Sequence, residues 1–75
     1  MKYVSVSARF KFFNGQKGYT VEYAYGLAKW YVFNEEENSN AVYAKEDKKI
    51  KLKNINNDSA EDILFEYLNH VNKSK

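Results

Sequence analysis

Residues 4–25, VSVSARFKFFNGQKGYTVEYAY, set the architecture of this chain. On their first arm Val4, Val6, Ala8, Phe10 and Phe12 take the even positions, while Ser5, Ser7, Arg9 and Lys11 take the odd ones. Successive side chains of a strand point to opposite faces, so the alternation predicts a strand with one apolar and one wet face. Asn14-Gly15 follows at once. It is a strong hairpin signal, because both central residues of a type I′ turn need positive φ. With Asn14 and Gly15 as the loop, Phe10 faces Tyr19, Ala8 faces Val21, Val6 faces Tyr23 and Val4 faces Tyr25. A four-residue loop through Lys17 keeps the same parity and therefore the same faces.

Further along, Gly26-Leu27 fits a type II′ turn that returns the chain beside its second strand, with Tyr23 opposite Trp30 and Val21 opposite Val32. A single long strand through Gly26 would carry Lys29 onto the apolar face, which argues for the turn. Asn34 to Asn40, with Glu35, Glu36 and Glu37, reads as a solvated loop. Two shorter strands are predicted next, at 41–45 and 49–53; in the second, Ile50 and Leu52 alternate with Lys49, Lys51 and Lys53. Ser59 as N-cap, with Asp62 three residues on, starts a helix over 59–72. Ala60, Ile63, Leu64, Tyr67, Leu68 and Val71 form its apolar stripe, and its acidic residues lie toward the start as the helix dipole prefers. The expected fold is α+β: an antiparallel β-meander of four or five strands (2–13, 19–25, 28–33, 41–45, 49–53), with one C-terminal helix packed on one face. Its expected core is Phe10, Phe12, Val21, Tyr23, Trp30, Val32, Ile50, Leu52, Leu64, Leu68 and Val71.

With 75 residues there is room for one domain and no second core. Seven Tyr, five Phe and one Trp let so short a chain bury much area per residue. The absence of cysteine excludes disulfide staples, Cys-based zinc sites and thiol catalysis, and fits a cytoplasmic setting better than a secreted scaffold. No apolar run approaches membrane-spanning length, so no membrane partner is expected. Lys outnumbers Arg eleven to one, a bias pointing to an AT-rich coding sequence such as that of low-GC bacteria and their phages.

The net charge is only +2, so its distribution matters more than its sum. On the predicted register the face away from the helix carries Arg9, Lys11, Lys29, Lys45, Lys49, Lys51 and Lys53 against one carboxylate, Glu22. Tyr31, Phe33 and Tyr43 stand among them. Basic groups interleaved with rings are what single-stranded nucleic acid requires, since cations neutralise phosphates and rings stack on unpaired bases. The expected contacts are Arg9, Lys11, Lys29, Lys49, Lys51 and Lys53 to phosphates, and Tyr31, Phe33 and Tyr43 to bases. Lysines on exposed strands also solubilise a sheet and protect its edges.

A second expectation uses the same rings. Aromatic residues are enriched where proteins meet, and Phe65 lies off the helix's apolar stripe, between Glu61 and Asn72. It marks a surface for a host protein, as in a phage or mobile-element accessory protein that inhibits a host enzyme, or for a homodimer. Gly15-Gln16-Lys17-Gly18 matches a GxxG loop but joins strands, so it reads as turn chemistry. Glu35-Glu36-Glu37 lacks the spaced ligands and glycine of an EF-hand, and His70 has no second His or Cys to share a metal. Ser5 and Ser7 have no nearby base and no nucleophile-elbow glycines. A non-enzymatic binding protein without cofactor is the expectation.

Overall fold

The computed structural model describes residues 7–37 and 40–73. Four strands follow one another as an antiparallel meander in the order β1-β2-β3-β4: β1 Ser7–Asn14, β2 Lys17–Ala24, β3 Lys29–Asn34 and β4 Tyr43–Glu46. One helix, α1 Asn57–Lys73, packs on one face across β1, β2 and β3. This is the expected α+β architecture in its four-stranded form. The predicted start of the first strand, with Val4 and Val6, lies outside the described residues.

The first hairpin pairs Phe12 with Tyr19, Phe10 with Val21 and Ala8 with Tyr23. That is two positions along from the pairing expected for an Asn14-Gly15 loop, and it is the register of the four-residue alternative. The rings explain the choice: the expected register would set Phe12 against Lys17, whereas this one sets it against Tyr19. A shift of two leaves every side chain on its predicted face. Gly15 and Gln16 form the turn. Only Gly15 has positive φ (69°), which fits a type II′ turn and not type I′. Gly18, the other glycine of the GxxG stretch, is buried within β2, where a Cβ would collide with the Glu35 side chain and come within 3.4 Å of the Phe13 ring.

In the second hairpin Tyr23 faces Trp30 and Val21 faces Val32, as expected. Its turn is wider than predicted. Ala24 pairs with Lys29, and Tyr25-Gly26-Leu27-Ala28 form the loop, in which the Leu27 N–H donates to the Ala24 carbonyl at 3.2 Å. The left-handed residue is Ala28 (φ 53°), not Gly26. After β3, the Asn34 side-chain oxygen accepts from the Glu36 N–H at 2.9 Å and starts a single 3-10 turn at Glu35–Glu37.

Two expectations are corrected in the next segment. In β4, Tyr43 pairs with Val32 and Lys45 with Trp30, so both point to the helix side, while Ala44 and Glu46 take the outer face. Tyr43 buries a ring there that Ala44 could not supply, and its hydroxyl is satisfied by Glu66. Lys45 sits at the sheet's rim, where its stem can lie along the core while its ammonium reaches Glu66. The fifth strand does not form. Ile50 and Ile55 dock against the core, and between them Leu52–Asn54 make one 3-10 turn that leaves Leu52 74% exposed. Period-two spacing in 49–53 therefore marks no strand, and Leu52 is no core residue.

The helix begins two residues earlier than predicted because Asn56, not Ser59, caps it. The Ser59 N–H donates to Asn56 Oδ1 at 3.0 Å and the Asn56 N–H donates to Ser59 Oγ at 3.0 Å, a reciprocal box with Ser59 in the third helical position. Ala60, Ile63 and Leu64 are buried, with Tyr67 and Leu68 packed at the margin. They close over Tyr19, Val21, Tyr23, Trp30 and Val32. Trp30 is wholly buried at 0% exposure and lies edge-on to Tyr23, ring centres 4.9 Å apart. Phe10, Phe12 and Ile50 pack against this core from the side.

Candidate binding surface

Cross-strand partners share a face, so the register lists what the sheet presents away from the helix. The first row holds Ser7, Ala24, Lys29 and Glu46; the second Arg9, Glu22, Tyr31 and Ala44; the third Lys11, Thr20 and Phe33; the last Phe13 and Gly18. No described helix or strand packs on this face; only the 3-10 turn borders it, with the Glu35 side chain lying over Gly18. The Tyr31 and Phe33 rings lie side by side, centres 6.4 Å apart and tilted by 35°. Beside them Arg9 Nε donates to Glu22 Oε1 at 3.1 Å. Arg9, Thr20, Glu22, Phe33, Asn34 and Glu35 line a shallow depression of about 220 Å³. Phe13, 75% exposed, extends the apolar part of the face toward the first turn.

Of the nine residues predicted to contact nucleic acid, the sheet brings together five: Arg9, Lys11, Lys29, Tyr31 and Phe33. The other four stand elsewhere. Tyr43 lies on the helix side, its ring 5.9 Å from Tyr67 and 6.1 Å from His70. Lys49, Lys51 and Lys53 follow β4 in an exposed connection rather than on a strand of the sheet. The predicted surplus of seven cations over one carboxylate becomes three, Arg9, Lys11 and Lys29, facing three carboxylates, Glu22, Glu46 and Glu35. The face is close to neutral and carries both signs.

The polar cluster under the other face was not anticipated. Glu66 accepts from Lys45 Nζ at 2.8 Å and from the Tyr43 hydroxyl at 3.3 Å. Burial first, and the Glu66 charge second, push the Tyr43 hydroxyl above its ordinary value. The bond to Glu66 raises Lys45, against the opposing effect of burial. Tyr23 is raised by burial and then by Asp47, whose backbone carbonyl accepts from its hydroxyl at 2.7 Å. The signal that would have found this cluster is the spacing of Tyr43 and Lys45, two apart and thus on one face. Phe65, as predicted, sits off the stripe and is 52% exposed on the helix.

Burial across the face is uneven: Tyr31 and Phe33 are half-buried by their neighbours, while Arg9 and Lys11 remain exposed. No described helix is long and apolar enough to cross a membrane. Comparison with known proteins adds no relative: no family profile, curated protein or solved structure matches the chain.

Proposed function

We propose that this protein is a non-enzymatic binding module whose open sheet face docks on another protein. The observation that carries the reading is the make-up of that face: the paired rings of Tyr31 and Phe33, extended by Phe13, amid charges of both signs. Protein interfaces combine an aromatic centre with a polar rim, and Arg and Tyr are their commonest anchors. The polar clusters support binding over catalysis, because Glu66 is engaged by Lys45 and Tyr43, and Glu22 by Arg9. A host protein is the partner class this favours, with Phe65 as a second contact on the helix.

Single-stranded nucleic acid is the second reading, and one observation favours it. Lys48, Lys49, Lys51 and Lys53 are all exposed; Lys48 reaches Glu46 at 3.5 Å, and beyond it the chain carries no carboxylate until Asp58. That connection offers phosphates a dense cationic segment, with Lys11 and Lys29 of the face as additional contacts.

Affinity capture from source-cell lysate, treated with nuclease, tests the first reading with the parent protein and a Tyr31→Thr/Phe33→Thr variant as paired baits. The expected result is a partner retained by the parent and lost by the variant. Retention by both baits removes the face from the reading. An oligonucleotide that binds at low salt and is released steeply as salt rises, with Lys49→Glu/Lys51→Glu weakening it, transfers the proposal to nucleic acid.

A further inference from the structure

β1 pairs with β2 on one side and with no described strand on the other. The register says which peptide groups its outer edge offers. Residues flanking a two-residue loop exchange both hydrogen bonds, and bonded and non-bonded pairs then alternate along the hairpin. Asn14 and Lys17 flank the loop. Phe12, Phe10 and Ala8 therefore turn their peptide groups toward β2, and Phe13, Lys11, Arg9 and Ser7 turn theirs outward. The far side of the sheet gives the same parity. The Asp47 N–H donates to the Ala28 carbonyl at 2.8 Å, which commits Ala28, Trp30 and Val32 to the β4 side. Lys29, Tyr31 and Phe33 then serve β2, and Tyr19, Val21 and Tyr23 are left for β1.

The side chains along this edge have two characters. On the helix side Phe10 and Phe12 pack against the core yet stay only half-buried, so an added strand would cover more of both rings. On the open side Arg9 and Lys11 are exposed, Arg9 at 72% even while bonded to Glu22. A lysine alone on an edge repels other strands. Here it stands beside uncovered phenyl rings, which reward the right strand. We propose that β1 captures an extended segment of another protein in which apolar and acidic residues alternate. The apolar residues cover Phe10 and Phe12, the acidic ones lie beside Arg9 and Lys11, and backbone hydrogen bonds to Ser7, Arg9, Lys11 and Phe13 supply the affinity. A second copy of this chain fits less well, because its β1 would set Arg9 and Lys11 against themselves. The capture uses the edge and goes beyond the reading of the face, since Tyr31 and Phe33 take no part.

The test is fluorescence anisotropy with a labelled peptide of β1's own length, eight residues, alternating Val and Glu. Binding should saturate, weaken with salt, and exceed that of a Val-Lys counterpart by about tenfold or more. Lys11→Pro removes an outward N–H without touching the bonds to β2, a place where an edge strand tolerates proline. With its melting curve kept, it should bind about tenfold more weakly or worse, while Tyr31→Thr stays within about twofold of the parent. Should Lys11→Pro melt lower, Lys11→Glu, which leaves the backbone intact, must move the preference toward the Val-Lys peptide. Parent-like binding by a folded Lys11→Pro, no change of preference in Lys11→Glu, or loss of binding in Tyr31→Thr alone overturns the proposal. A concentration-dependent dimer abolished by Lys11→Pro would assign the edge to a second copy and overturn it too.

Discussion

The two faces of this one sheet are built on opposite terms. Under the helix, Val21, Trp30 and Val32 have no exposed surface, and apart from the buried Trp30 N–H the polar side chains gather at the rim, where Glu66 receives Tyr43 and Lys45. On the other face Tyr31 and Phe33 are only half-buried, Phe13 is exposed, and Arg9 and Lys11 stand open, Arg9 against a partly buried Glu22. Cohesion is thus concentrated on one side. The other side contributes little to folding and is left to be shaped by whatever it meets.

Adjacent residues of β3 give the hardest test of that division. Trp30→Ala should cost about 3 to 5 kcal/mol, enough to threaten folding, because it empties the largest fully buried site. Tyr31→Thr, one residue on and facing outward, should cost about 1 kcal/mol. Urea denaturation measures both, and equal losses would abolish the distinction between the faces. Next in size is the attachment of the cover itself: Asn56→Ala should cost about 1 kcal/mol by removing the side-chain acceptor for the Ser59 N–H. A neutral Asn56→Ala would return the cap to Ser59.

The covered face should also be the alkali-sensitive one. Tyr23, Tyr43 and Lys45 all hold their protons more tightly in the folded chain than their ordinary values of 10.0 and 10.5 imply. A raised value means stability that is complete below the ordinary value and lost as pH rises through the raised one. The melting temperature should therefore hold steady from about pH 7 to 9 and fall above about pH 10. Tyr43→Phe should flatten part of that fall, and an unchanged alkaline profile in this variant would deny its hydroxyl the role. The smallest effect belongs to Leu52→Gln, within about 0.5 kcal/mol, since that side chain is exposed and covers no part of the core. Ile50→Gln, which does reach the core, should be clearly worse by the same thermal melt.

The hairpins and their faces were legible in the sequence because three strands share their alternation, but the first register was not, since Val21 meets an apolar partner whether Ala8 or Phe10 stands opposite it. Turn type was not legible either: Gly15 is left-handed as expected but Asn14 is not, and in the second hairpin the left-handed residue is Ala28, which the dipeptide Gly26-Leu27 does not single out. The candidate site was readable only in part. Arg9, Lys11, Lys29, Tyr31 and Phe33 lie on strands whose parity is tied to neighbours, and they share the face expected of them. Tyr43 and the lysines at 49, 51 and 53 belong to a short edge strand and a connection. There, alternation has no second strand to check it against, and Ile50-Lys51-Leu52 satisfies period two by coincidence.

Glu66 ties the molecule's extremities together. Its carboxylate receives groups from β4, the shortest strand and the last in the sheet, and delivers them to the middle of the helix. Opening of the helix and fraying of β4 are thereby coupled, by about 0 to 1 kcal/mol since the Lys45 and Glu66 side chains are 44% and 41% exposed, and amide exchange of both elements in Glu66→Gln measures that coupling. Severing that carboxylate would leave β4 held by its ladder to β3 alone, and each fraying of it would bare the outer side of β3 as a second strand edge.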